Sequence, residues 1–200
     1  MDVLHSAAAL TIERIVAGPL GTNVLLVTDR STMEAIIVDA ADDPDAILSM
    51  AHDVVVRAIY TTHGHWDHHQ AAGPVSDALD AIPVMIHPAD AAMIDHPTIP
   101  LAPGPHTVGS VPFTVAHTPG HTPGSVSLVF DGVVVTGDTL FPGGPGATRF
   151  DHSSFSQIIG SIRTELFTLP DATVVIPGHG ASTTIGSERP HLRDWVARGW

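Results

Sequence analysis

Thr61-Thr62-His63-Gly64-His65-Trp66-Asp67-His68-His69 follows without a break on the β-branched and aliphatic run Val54-Val55-Val56-Arg57-Ala58-Ile59-Tyr60. On an extended backbone, residues two apart point to the same side, so His63 and His65 can share one ion. Asp67 and His68, adjacent in sequence, both reach a metal only if the chain turns into a helix there. Four metal-ligating side chains therefore stand at the end of one strand, and Gly64 permits a backbone geometry that brings them together. A chance cluster among fourteen histidines, or a solvated histidine-rich loop, would stand alone. Here further ligand types recur downstream beside glycines, at His121, Asp138 and His179.

Three more segments extend the pattern: His117-Thr118-Pro119-Gly120-His121-Thr122-Pro123-Gly124-Ser125, Thr136-Gly137-Asp138-Thr139-Leu140-Phe141 and Pro177-Gly178-His179-Gly180. With His63-x-His65-x-Asp67-His68 they resemble the metallo-β-lactamase superfamily, and within it the small glyoxalase II-like hydrolases. The resemblance runs from about residue 21 to residue 179. It implies an α/β fold, the four-layer αββα sandwich, with the metals in a groove at one edge. It implies that His63, His65 and His121 hold one divalent ion and Asp67, His68 and His179 a second. Asp138 then bridges them, and Asp67 is also a catalytic residue.

Imidazole and carboxylate ligands suit zinc, iron or manganese, and zinc is expected first. A hydroxide held between two such ions is a nucleophile at neutral pH. The reaction implied is thioester hydrolysis, because a thiol leaves with a pKa near about 8.5 and needs no strong protein acid. Two rivals share the motifs: an N-acyl homoserine lactonase, and an iron-dependent persulfide dioxygenase with a single iron. Lactam-hydrolysing members carry a cysteine where this chain has Asp138, which argues against β-lactam hydrolysis. Full-length glyoxalase II also carries a helical C-terminal domain for glutathione, and the residues after His179 are too few for it. The acyl chemistry carries over, and the thiol specificity does not.

Composition narrows the partners. The 200 residues, 44% of them hydrophobic, fit one domain over 1–200 with a full core. No apolar run approaches the roughly 20 residues of a membrane span, and the first residues lack a signal-peptide pattern, so a cytoplasmic chain without a membrane partner is expected. Absence of cysteine removes disulfides and sulfur-ligated metal. The net charge of −13, with all eight basic residues arginine, repels polyanions and argues against nucleic acid. A small-molecule substrate is the expected partner, with monomer and homo-oligomer both open.

Short aliphatic runs at 11–16, 24–28 and 35–39 read as strands joined by tight turns. A helix should start at the acidic residues 42–45. The run 54–60 should be a strand buried on both faces. Helices are expected at 71–80 and 88–94, a strand at 84–87, and a proline-rich loop at 95–105 on the rim of the site. Strands at 112–117, 125–130 and 132–136 precede the glycine-rich 143–146, which is too glycine-dense for regular structure. The spacing of Phe155, Ile158, Ile159, Ile162 and Leu166 predicts a helix over 153–169. A strand at 173–176 and a helix at 188–196 follow. His117 is expected to bond within its own turn, His69 to lie on the surface, and His87, His96 and His106 to stay out of the metal set. Thr61, Thr62, Thr118 and Thr139 could orient imidazoles. Arg149 is left between surface residue and substrate anchor.

Overall fold

The structure, a computed structural model, describes residues 1–199. Its first sheet holds seven strands in chain order: β1 (Asp2–Ser6), β2 (Leu10–Ala17), β3 (Thr22–Asp29), β4 (Glu34–Val38), β5 (Val55–Tyr60), β6 (Val84–Ile86) and β7 (Ile99–Pro100). The second begins with β8 (Gly104–Val108), β9 (Val111–His117), β10 (Val126–Phe130) and β11 (Val133–Gly137). A separate two-stranded ladder, β12 (Leu140–Phe141) with β13 (Gly144–Pro145), precedes β14 (Val174–Pro177) and β15 (Thr183–Thr184), and the second sheet runs β15-β14-β11-β10-β9-β8. The outer layers are α1 (Pro44–Met50) and α2 (Ala72–Ala78) on the first sheet. On the second they are α3 (Phe155–Ser161), α4 (Ile185–Glu188) and α5 (Leu192–Arg198).

Period-two alternation sorts the side chains into layers. From β3, Leu25 and Val27 enter the core between the sheets, where they join Phe113, Leu128 and Val135. Val24 and Leu26 point the other way, into a second cluster with Ile47 and Val75 of the helices. On the far side Val134 and Val175 pack with Ile158, Ile162 and Trp195. This is the expected αββα sandwich, with both sheets apolar on both faces.

The pairing pattern places the site. β4 and β5 are parallel, as are β11 and β14, so the loops leaving their C-terminal ends emerge side by side. Asp39 thereby lies next to Thr62, and Asp138 next to His179. The sheets are tied at this edge by Val126 N donating to Thr62 O (2.9 Å) and Asn23 N to Gly178 O (2.7 Å).

Several expectations need correction. In β5, Val55 and Arg57 are exposed around an irregularity in the β4–β5 pairing, so only the C-terminal half is buried on both faces. The stretch 95–105 is not all loop: β7 adds to the sheet edge, where a proline need not donate a ladder bond, and β8 starts at Gly104. Gly144–Pro145 forms a ladder with Leu140–Phe141 despite its glycines. The helix from Phe155 ends at Ser161 and continues as a π-helical turn, Ile162–Leu166. The final helix is split into α4 and α5 by a 3-10 turn, Arg189–His191.

Candidate metal centre

The chain turns after β5 as the motif requires: Trp66–His68 is a 3-10 turn that brings Asp67 and His68 round together. Three groups of side chains converge, each with ligand atoms within 4.8 Å of one another: His63, His65 and His121; His63, His68 and Asp138; Asp67, His68 and His179. All seven residues picked out in the sequence fall in these groups. His65 Nδ1 lies 3.1 Å from His63 Nε2 and 2.9 Å from His121 Nε2, and His68 Nε2 lies 3.2 Å from His179 Nε2. Asp138 stands between them, with Oδ1 3.5 Å from His68 Nε2 and Oδ2 3.5 Å from His121 Nε2 and 3.7 Å from His179 Nε2.

The outward nitrogens decide what the inward ones carry. His121 Nδ1 is 2.8 Å from Ala147 O, His179 Nδ1 is 3.2 Å from Leu20 O, and His68 Nδ1 is 2.8 Å from Asp39 Oδ2. Oxygens that can only accept require an N–H from each ring. Thr62 Oγ1 donates to Asp39 Oδ2 (2.8 Å), so its lone pair is free to accept from His63 Nδ1 at 3.1 Å. With their protons fixed outward, His63 and His121 both turn an Nε2 lone pair toward His65 Nδ1, an arrangement that a shared cation resolves. Asp138 Oδ1 is buried with no hydrogen-bond partner. Converging lone pairs, an orphaned carboxylate oxygen and an all nitrogen and oxygen donor set fit a pair of divalent ions.

Electrostatics divides the cluster. Burial, then repulsion from neighbouring imidazoles, holds His63 well below its ordinary value. Burial also takes His121 down to about 3 and His65 to about 4. Burial opposes protonation of His68 too, but Asp39, Asp138 and Asp67 outweigh it and lift the ring to about 9. Asp138 is pushed up by burial, whereas Asp67 is drawn to about 2 against burial by the hydrogen bond with His179. One side of the site is thus neutral nitrogen, and the other is rich in carboxylate.

Neighbouring residues sort themselves against expectation. Of the four threonines, Thr62 orients an imidazole, Thr118 and Thr139 bond each other (3.2 Å), and Thr61 Oγ1 has no partner. His117 bonds Pro123 O at 2.9 Å and stacks on His87 with centroids 4.2 Å apart, away from the three groups. His69 is buried, not on the surface: the 3-10 turn swings it back so that Nε2 lies 3.3 Å from Gly64 O. Arg149 is exposed, with its guanidinium carbon 5.7 Å from the Phe150 ring centroid. Three residues escaped sequence reasoning. Asp39 and Asp90 lie beyond the end of a strand, the first of them ending an apolar run as Asp138 does. His152, whose Nε2 is 3.1 Å from His65 Nε2, has no local signal.

Comparison with known proteins agrees with this fold. The metallo-beta-lactamase superfamily profile matches residues 17–179. A probable metallo-hydrolase of Streptococcus pyogenes is 36% identical over 190 residues, covering 82% of this chain and 81% of its own. A hydroxyacylglutathione hydrolase of Haemophilus influenzae is 46% identical over 79 residues, 38% of this chain and 37% of its own. Among solved structures, the BLEG-1 B3 metallo-beta-lactamase superposes with a TM-score of 0.83 at 30% identity, covering 90% of this chain and 97% of its own. A protein in a di-iron-bound form gives 0.80 at 31%, over 88% and 96%. ETHE1 from Myxococcus xanthus gives 0.82 at 31%, over 90% and 82%.

Proposed function

The chain belongs to the metallo-beta-lactamase superfamily, and from that premise we propose that this metallo-hydrolase is of the glyoxalase II kind, a thioesterase for small acyl thioesters. The observation that carries the reading is the division of the cluster at Asp138. His63, His65 and His121 would hold one divalent ion, Asp67, His68 and His179 another, and Asp138 would face both. Zinc comes first, with iron and manganese suited to the same donors, and the di-iron form of a similar protein supports iron. When bound, such a pair supplies Lewis acidity and a water acidic enough to attack at neutral pH.

The chain's own residues do the rest. Asp39 and Thr62 hold His68 and His63 in orientation. The ring of Phe150 stands edge-on to His65, centroids 4.8 Å apart, and Phe141 lies nearly parallel to the His179 ring at 6.4 Å. These two rings put apolar surface beside both parts of the centre, where it would seat an acyl group and displace water. The Thr62 hydroxyl, which lies against His63, is committed to Asp39, so the centre is suited to a leaving group that needs no proton. A thiolate is such a group. With no lysine and a net charge of −13, polyphosphate-bearing thiol carriers such as coenzyme A are disfavoured by the field, and lactoyl-glutathione should be accepted at a high KM. The likeness to a hydroxyacylglutathione hydrolase supports this choice.

A second reading, lactam hydrolysis, draws on the likeness to the BLEG-1 B3 enzyme, although Asp138 standing in the cysteine position argues against it. The deciding measurement is kcat/KM at two salt concentrations for lactoyl-glutathione, a small neutral thioester, an acyl-homoserine lactone, a cephalosporin and a phosphodiester. Thioesters should lead, with Asp138→Ala abolishing turnover and lowering occupancy by both metals. A lactone or lactam exceeding every thioester tenfold, about 1.4 kcal/mol of transition-state stabilisation, overturns the reading. One iron per chain with oxygen consumption on a persulfide would turn it to the dioxygenase.

A further inference from the structure

We propose that Asp90, a residue outside the metal cluster, is the positioning residue that sets the interval between the two loops that make up the His63, His65 and His121 group. The inference rests on the metal reading of that group. His63 and His65 leave the first sheet, and His121 leaves the second, so their spacing is not fixed within either sheet. Asp90 lies in the 3-10 turn Pro88–Met93, entirely buried. Its Oδ2 accepts from Gly64 N (2.9 Å), between the first two histidines, and from Thr122 Oγ1 (2.5 Å), directly after the third. Its Oδ1 accepts from Gly124 N at 2.6 Å. Since the Thr122 hydroxyl donates to Asp90, it accepts from Ser125 Oγ at 2.7 Å, and that oxygen accepts Thr122 N at 3.0 Å. Every proton in the clamp has a place.

Steric room is as tightly set as the hydrogen bonds. A Cβ on Gly64 would stand 2.7 Å from Met93 Cβ and 3.1 Å from Asp90 Cβ, and one on Gly124 would stand 2.6 Å from Asp90 Cγ. Both glycines therefore serve to admit the carboxylate between the loops. Gly64 has no positive φ, so its role is space and not the unusual backbone expected from sequence. Among the described residues Asp90 hydrogen-bonds to Gly64, Thr122 and Gly124 and to none of Asp67, His68 and His179, so the clamp acts directly on the loops of the His63, His65 and His121 group. Ligand positions must hold to about 0.5 Å for productive geometry, which a three-bond clamp between the loops can enforce.

Asp90→Asn keeps the shape but offers one carbonyl oxygen to three donors and turns an NH2 toward at least one of them. Calorimetric titration of chelator-treated protein with Zn(II) should show wild type taking two ions. In the variant one site should weaken by about 10 to 100-fold with the other unchanged. Imidazole 15N spectra of the chelator-treated protein should shift for His63, His65 and His121 and stay fixed for His68 and His179. Thr122→Val, which removes one of the three bonds, should move the same signals less, and it carries the test if Asp90→Asn does not fold. Equal effects on both groups, or none on either, overturn the proposal. A wild type that binds no zinc overturns the metal reading instead, and the imidazole spectra then decide the clamp by themselves.

Discussion

Asp39 accepts from Thr62 N (2.7 Å), Thr62 Oγ1 (2.8 Å) and, through the same oxygen as the hydroxyl, His68 Nδ1 (2.8 Å). One carboxylate thus fixes an imidazole in each group, His68 directly and His63 through Thr62. Asparagine cannot accept all three bonds, so Asp39→Asn should weaken both metals by about 10 to 100-fold, the usual cost of losing a partner behind the ligands. His117→Ala should spare both, because its ring faces Pro123 O and His87. Competition against a chromophoric chelator measures both. A metal lost in His117→Ala but kept in Asp39→Asn would mean that the orientation of the rings is set elsewhere.

At the scale of elements, α3 supports the turn that presents His121. Ser161 Oγ donates to Pro119 O (2.7 Å), Ser154 N donates to Gly120 O (2.7 Å), and the helix backbone comes so close that a Cβ on Gly120 would lie 2.2 Å from Ile158 N. Ile158, Ile162 and Leu166, spaced by four, would drift around an α-helix of 3.6 residues per turn. The π-helical turn, closed by Phe167 N to Ile162 O at 2.8 Å, takes up the excess and keeps all three buried. Gly120 has φ 137, and Gly104, with φ 124, has open space around it. Alanine at Gly104 therefore meets backbone strain alone, about 1–3 kcal/mol. At Gly120 it adds a clash with backbone, about 1–3 kcal/mol more, and displaces His121. Urea unfolding should rank Gly120→Ala well below Gly104→Ala, with metal lost only in the former. Equal losses would show that the helix yields.

At the scale of the whole molecule, the far edge of the sandwich is clamped by Asp29, at the end of β3 opposite the histidine cluster. Oδ1 accepts from Ser31 N and Oγ, and Oδ2 accepts from Ser110 N and Oγ, in the β8–β9 turn, each at 2.7 Å. The Ser110 and Ser31 bonds hold the carboxyl well below its ordinary 3.8. A depressed pKa contributes stability that is present above 3.8 and is lost as pH falls toward the folded value. Asp29→Asn should therefore lower Tm at pH 7, with the gap from wild type closing below about pH 4; a constant gap down to pH 2 would remove the charge from the explanation. The clamp was invisible in the sequence, where Asp29 reads as part of a turn. What the sequence determined by itself was whatever is written locally: alternation that makes strands, and ligands placed at the ends of those strands, from His63 to His179. The strands argue for two packed sheets, and the family resemblance adds the four-layer sandwich and the seven residues that converge in the three groups. Only the tertiary structure decided the supports, Asp39 for His63 and His68, Asp90 between two loops, His152 behind His65, and the burial of His69. Each depends on parallel pairing or on loops from different sheets meeting, contacts between residues far apart in the chain that leave no periodic trace in it.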